Sequence, residues 1–158
     1  MPSNAHPSQW LSARLCALSY TKVQKVVRRV ARLDPSLNGV QSHVLRYALM
    51  VTVLHPPLAA ALRDQKCARG NSAPVRAAPI SGDEGAAFAY SLNLLSSCYP
   101  EGSAHQFVEH GLLHGEDLIV RLLTRASPEE QTAFFSDVLA RTVYDLRPSL
   151  AARLSKGG

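Results

Sequence analysis

Apolar positions recur three and four residues apart through most of the chain, and the breaks between the runs fall at proline, glycine and aspartate. Val23, Val26, Val27, Val30 and Leu33 share one face of a helix whose other face carries Lys22, Lys25, Arg29 and Arg32. The pattern predicts helix from Ser8 to about Leu33, broken near Tyr20-Thr21 and stopped by Asp34-Pro35. A second long helix is expected from about Val40 to Leu54, with Val44, Tyr47, Ala48 and Val51 as its stripe. Pro56-Pro57 ends it and opens a short alanine-rich helix to about Lys66. Residues 68–82 hold Gly and Pro on both flanks of Val75 and no apolar periodicity. They read as a loop, either a hinge between two helical halves or a long surface connection.

Two serines then open helices. In a capping box the cap hydroxyl accepts from the third helical N–H while that residue's side chain reaches back. Ser81 with Glu84 fits this and starts a helix to about Cys98, with Phe88, Leu92 and Leu95 inward. Ser127 with Pro128, Glu129 and Glu130 fits it again and starts a helix over 128–146, apolar at Phe135, Val138, Leu139, Val143 and Leu146. Helices are expected between them at 103–114 and 116–126, with a short piece after Pro148.

The joints repeat. Asn93–Phe107, "NLLSSCYPEGSAHQF", aligns with Arg121–Phe135, "RLLTRASPEEQTAFF", 28 residues later, matching a Leu pair, Pro-Glu and a final Phe. Repetition at this period suggests stacked helical units sharing one core, although hairpins in any bundle reuse the same residues at their joints. Only 6% of residues are aromatic, while Ala and Leu abound. That favours close-packed helices over sheets. The expected class is all-α, a stack of about six to eight helices in one domain over residues 1–158, with an irregular bundle as the alternative.

Ala87–Thr142 resembles the armadillo/HEAT type of helical repeat: a helix ending in a Leu pair, a Pro-Glu turn, a short helix with "FVEHGLL", then "LIVRLL". The resemblance implies scaffolding by protein binding, with a groove between helices 84–98 and 116–146. In such a repeat Gly111 would end a short helix and permit a sharp turn. Asn93 is the single candidate for the asparagine that clamps an extended ligand backbone, with Glu109, His110, Arg121 and Arg125 as further partner-binding candidates.

Charge is distributed unevenly. Residues 1–82 carry 11 Lys plus Arg against two acids, and residues 83–158 carry six against ten. The basic half therefore meets something acidic or carries an address. Lys22, Lys25, Arg28, Arg29 and Arg32 are the candidates for an anionic ligand, whether nucleic acid or an anionic membrane surface. Residues 1–33 contain six Lys or Arg and no acid, which is also the composition of a mitochondrial targeting segment and, equally, of a solvated positive face on an ordinary packed helix. Against cleavage, Trp10, Leu11, Leu15 and Leu18 form a stripe that leads into Val23, and burial of all four is expected.

Chemistry is thinly represented. Cys16, Cys67 and Cys98 are far apart and form no CxxC, which fits reduced thiols in an intracellular, cytoplasmic protein. Cys67 has Arg63, Lys66 and Arg69 beside it, which would raise its reactivity, or it is a plain thiol at a helix end. His105, His110 and His114 lie near Glu109, Glu116 and Asp117, but the spacing is not HExxH, and His114-Gly115 reads better as a helix end than as a metal site. There is no nucleophile motif, phosphate loop or cofactor motif, so no catalytic residue, cofactor or metal is assigned. The apolar run within Tyr47–Leu54 is far short of the roughly 20 residues a membrane span needs.

Overall fold

The computed structural model describes residues 11–58, 72–77, 80–100 and 102–142. Trp10, Cys67, the alanine-rich segment after Pro57 and the expected helix beyond residue 142 lie outside them. Five helices occur among the described residues, fewer than the six to eight expected: α1 (Ala17–Leu33), α2 (Val40–Leu54), α3 (Gly82–Cys98), α4 (Ala104–Thr124) and α5 (Pro128–Ala140). Two strands, β1 (Leu11–Cys16) and β2 (Ser72–Ala77), form an antiparallel ribbon with Leu11 opposite Ala77 and Leu15 opposite Ala73.

α2 is the centre. Its residues from Val44 to Val53 are all buried, and α1, α3, α4, α5 and β2 all pack on it. A helix buried on every side carries apolar residues on every side. The narrow stripe read from its sequence therefore understated it. Gly39, at φ 64°, caps its start in the left-handed region that a residue with Cβ rarely enters.

α4 approaches α2 closely because it has no side chain at the crossing. A Cβ on Gly111 would sit 1.9 Å from the Ala48 carbonyl oxygen, and one on Gly115 would meet both Val51 methyls within 3 Å. Thr52 donates from its hydroxyl to the Phe107 carbonyl at 2.6 Å, with its own Ala48 carbonyl 2.9 Å away, tying the two helices together. Gly111 thus lies within a helix as a contact residue and does not end one. The interruption falls at Gly115, whose φ of −145° and ψ of 24° kink α4, so that the helices expected at 103–114 and 116–126 are its two halves.

The residues matched at the two joints are buried but not placed alike. Leu94 and Leu95 are buried near the end of α3 and Leu122 near the end of α4, with Leu123 partly buried; Phe107 is in the first turn of α4, whereas Phe135 is in the second half of α5. Ser127 accepts from Glu130 N–H at 3.2 Å as expected, but the Glu130 carboxylate pairs with Arg121 and does not reach back. Ser103 and Gln106 form a reciprocal capping box that the sequence reading missed. Ser81 caps α3 by position but makes no side-chain cap bond, and the Glu84 carboxylate turns toward α2 in place of reaching back.

The ribbon corrects the reading of both ends of the basic half. Residues 11–16 are strand, not helix, and α1 runs unbroken through Tyr20-Thr21. Leu11 and Leu15 are buried as expected, but Leu18, on the outer face of α1, is 65% exposed. Within the segment expected to be a loop, Pro74 and Arg76 are exposed while Val75 and Ala77 are buried, the alternation of a half-buried strand. A two-stranded ribbon is marginal alone. This one is held by packing on α1, α2 and α4.

Candidate partner-binding groove

α1 and α4 lie side by side over α2, and their seam is built from opposite charges. Lys22 Nζ is 3.0 Å from Glu109 Oε1, and Arg29 Nη1 reaches Glu116 Oε2 at 2.6 Å and Asp117 Oδ1 at 2.9 Å. Ser19, buried on α1, donates to Glu109 at 2.5 Å. Burial pushes the Glu109 carboxyl up, but the bonds from Ser19 and Lys22 outweigh it and hold the group below its usual value. The Glu116 and Asp117 carboxylates raise the Arg29 pKa above its already high one. The acid that Lys22 and Arg29 meet belongs to the same chain.

Between these helices runs an open groove of about 400 Å³ lined by Lys22, Lys25, Glu109, Leu112, Leu113, Glu116 and Asp117. Leu112 is buried in its floor, and Leu113 is 74% exposed. Small-molecule sites are enclosed and mostly apolar. This groove is open, charged on both rims and has one large aliphatic side chain standing in water. Along the outer side of α1, Lys25, Arg28 and Arg32 are exposed and have no ion pair among the described residues, and Arg28, Ala31 and Arg32 border a second hollow of about 460 Å³. Of the five cations singled out, Lys22 and Arg29 are engaged within the fold. Lys25, Arg28 and Arg32 have no such engagement among the described residues.

The partner-binding candidates engage different neighbours. Glu109 is bound to α1; His110 Nε2 lies 2.7 Å from the His55 carbonyl; Arg121 pairs with Glu130 at 2.8 Å. Asn93 is half-buried on α3, and Arg125 is exposed at the end of α4. At the start of α5 the described surface has an open hollow of about 400 Å³ lined by Pro128, Glu129, Thr132 and Ala133, all residues of that helix.

One polar cluster was not foreseen, and a second adds His55 to two of the histidines singled out from the sequence. Glu84 Oε2 accepts from His43 Nδ1 at 2.8 Å and from Arg46 Nη1 at 3.0 Å. Arg46 is 3% exposed and lies over the Phe88 ring. Burial and the neighbouring Glu84 raise the Tyr47 pKa. The spacing of His43, Arg46 and Tyr47 on one helix was visible, but their acid lies about forty residues away in the chain. The second cluster stacks His114 against His55 and His110, with ring centroids 5.5 and 4.4 Å apart. His105 is not part of it: both its ring nitrogens are buried without a hydrogen-bond partner among the described residues. No three His, Cys, Asp or Glu side chains among those residues are placed to hold a metal ion. No described helix is long and apolar enough to cross a membrane.

No protein-family model matches the chain, and no curated protein or solved structure is detectably similar to it.

Proposed function

We propose that the protein is a non-catalytic protein-binding module, a subunit of a larger complex, and that the groove between α1 and α4 is its binding face. The observation that carries this is Leu113: a leucine 74% exposed at an open, charged groove, on a helix whose neighbouring turns are tightly packed. Protein–protein interfaces combine an apolar centre with a polar rim, and Leu113 with the charged edges of the groove offers both. The armadillo-type reading of residues 87–142 belongs to the same proposal, supported by the buried Leu94, Leu95 and Phe107 at the first joint and Leu122 and Phe135 at the second. In capture experiments from the native source, the wild-type chain retains a stoichiometric partner and Leu113→Asp loses it with an unchanged circular-dichroism spectrum. Retention by the variant contradicts the reading.

A second reading has its own support in the exposed Lys25, Arg28 and Arg32, which form a cationic ridge able to meet phosphates. It requires retention on duplex DNA or anionic vesicles that falls steeply with salt, by about one power of salt concentration per phosphate neutralised.

A further inference from the structure

We propose that the occupant of the α1–α4 groove is a segment of a partner protein that carries an apolar side chain for Leu113 and a row of carboxylates along one flank only, facing Lys25, Arg28 and Arg32. This rests on the groove being the binding face and adds what fills it.

Charge complementarity across the groove selects this occupant. On the α4 rim, Glu109 and Glu116 are already bonded to Lys22 and Arg29, and Asp117, though 92% exposed, faces Arg29 at 2.9 Å. This rim neither needs nor tolerates further negative charge. On α1, Lys22 and Arg29 are satisfied by those acids, whereas Lys25 at the groove and Arg28 and Arg32 on the hollow beside it have no ion pair among the described residues. Lys25, Arg28 and Arg32 are spaced three and four residues apart, so they share one face of the helix and span roughly 10 Å along its axis at about 1.5 Å per residue. A partner helix with acids at the same spacing matches them in length. Leu113, across the groove from Lys25, supplies the apolar contact that orients such a segment.

A phosphate polymer fits less well. Its charge is uniform along and around the strand, so entering the groove would set it against Glu109, Glu116 and Asp117 as well as over the cations. It would also leave Leu113 in water. The described α1 face has no aromatic ring between its cations for bases to stack on. The inner, valine side of α1 is buried in the core, so the helix cannot lie in a bilayer on an apolar face of its own.

The test uses the full chain and three labelled probes in fluorescence anisotropy: a synthetic amphipathic helical peptide with a leucine stripe and glutamates on one flank, the same peptide with lysines in place of the glutamates, and a DNA duplex. The glutamate peptide binds. Reversing Lys25, Arg28 and Arg32 to Glu weakens it by at least about tenfold, and Leu113→Asp weakens it comparably. The lysine peptide binds no better to the wild type than the glutamate peptide does to the reversed variant. Equal binding of the two peptides overturns the proposal, as does failure of the glutamate peptide to bind. So does DNA binding that needs the three cations and is indifferent to Leu113. The two layers separate in the capture experiment: if Leu113→Asp loses the native partner and the triple reversal does not, the groove stands and the acidic occupant falls. If neither variant loses the partner, the groove reading itself falls.

Discussion

Gly111 shows how much a single missing side chain decides. Its Cα sits so near the backbone of α2 that a methyl would overlap the Ala48 carbonyl. Neither helix can move without opening the core on its other side. Gly111→Ala should therefore lower stability by about 3 kcal/mol, the upper part of the overpacking range, although alanine is the better helix former. Chemical denaturation measures it, and a stabilised variant would mean that the crossing is looser than described. Glu84 is the second such residue. With Arg46 at 3% exposure, Glu84→Gln leaves a buried guanidinium without its counter-charge, and a loss of about 3 kcal/mol is expected.

His110 gives a pH dependence whose direction follows from its surroundings. Burial lowers its pKa, the bond to the His55 carbonyl opposes this, and the His114 and His55 rings lower it further. The unfolded chain therefore binds the proton more readily than the folded one. Stability contributed by the neutral ring is present above the ordinary value of 6.5 and is lost as pH falls through it toward the folded value. Thermal unfolding between pH 7.5 and 5.5 should show the wild-type midpoint dropping, and His110→Gln should flatten that slope. The Glu109 carboxyl, also depressed, acts in the same direction but only as pH falls below its ordinary value of 4.5.

At the scale of elements, the helices were legible wherever a periodic stripe met a strong stop. α2 begins and ends where Gly39 and Pro56-Pro57 place it, and α3 ends at Cys98 as read. The strand β1 was not legible, because Leu11 and Leu15 are four residues apart, a spacing that fits one face of a helix and one face of a strand equally well. Only pairing with β2 breaks the tie, and that partner lies some sixty residues on. The alternation in β2 was present but short and interrupted by Pro74, which an edge strand tolerates. Capping boxes were read from residue type alone. Ser81 has the right partner three residues on, yet the greater gain of pairing Glu84 with the buried Arg46 draws the carboxylate away. Ser103 has glutamine, a less conspicuous partner, and forms the box. Ser103→Ala should cost about 1 kcal/mol in urea unfolding, and Ser81→Ala distinctly less; equal losses would contradict the assignment.

Across the whole molecule, the charge asymmetry between the halves is the feature that sequence exposed most clearly and placed least well. It pointed outward, to a ligand for all five cations of α1. Folding lays α4 alongside α1 and uses Lys22 and Arg29 internally, which leaves a narrower cationic ridge beside an exposed leucine. The candidate site was hidden for the same reason as β1: it joins residues nearly ninety positions apart, and no local pattern encodes that. The groove expected between α3 and the later helices rested on a family resemblance, and the hollow around Glu129 is bordered by residues of α5 alone.

The two placements of the binding face are separated most directly by photocrosslinking. With a benzophenone amino acid incorporated at position 113 in one preparation and at position 129 in another, the native partner should crosslink through position 113 and not through position 129. Crosslinking through position 129 alone would contradict the α1–α4 groove as the face that holds the partner.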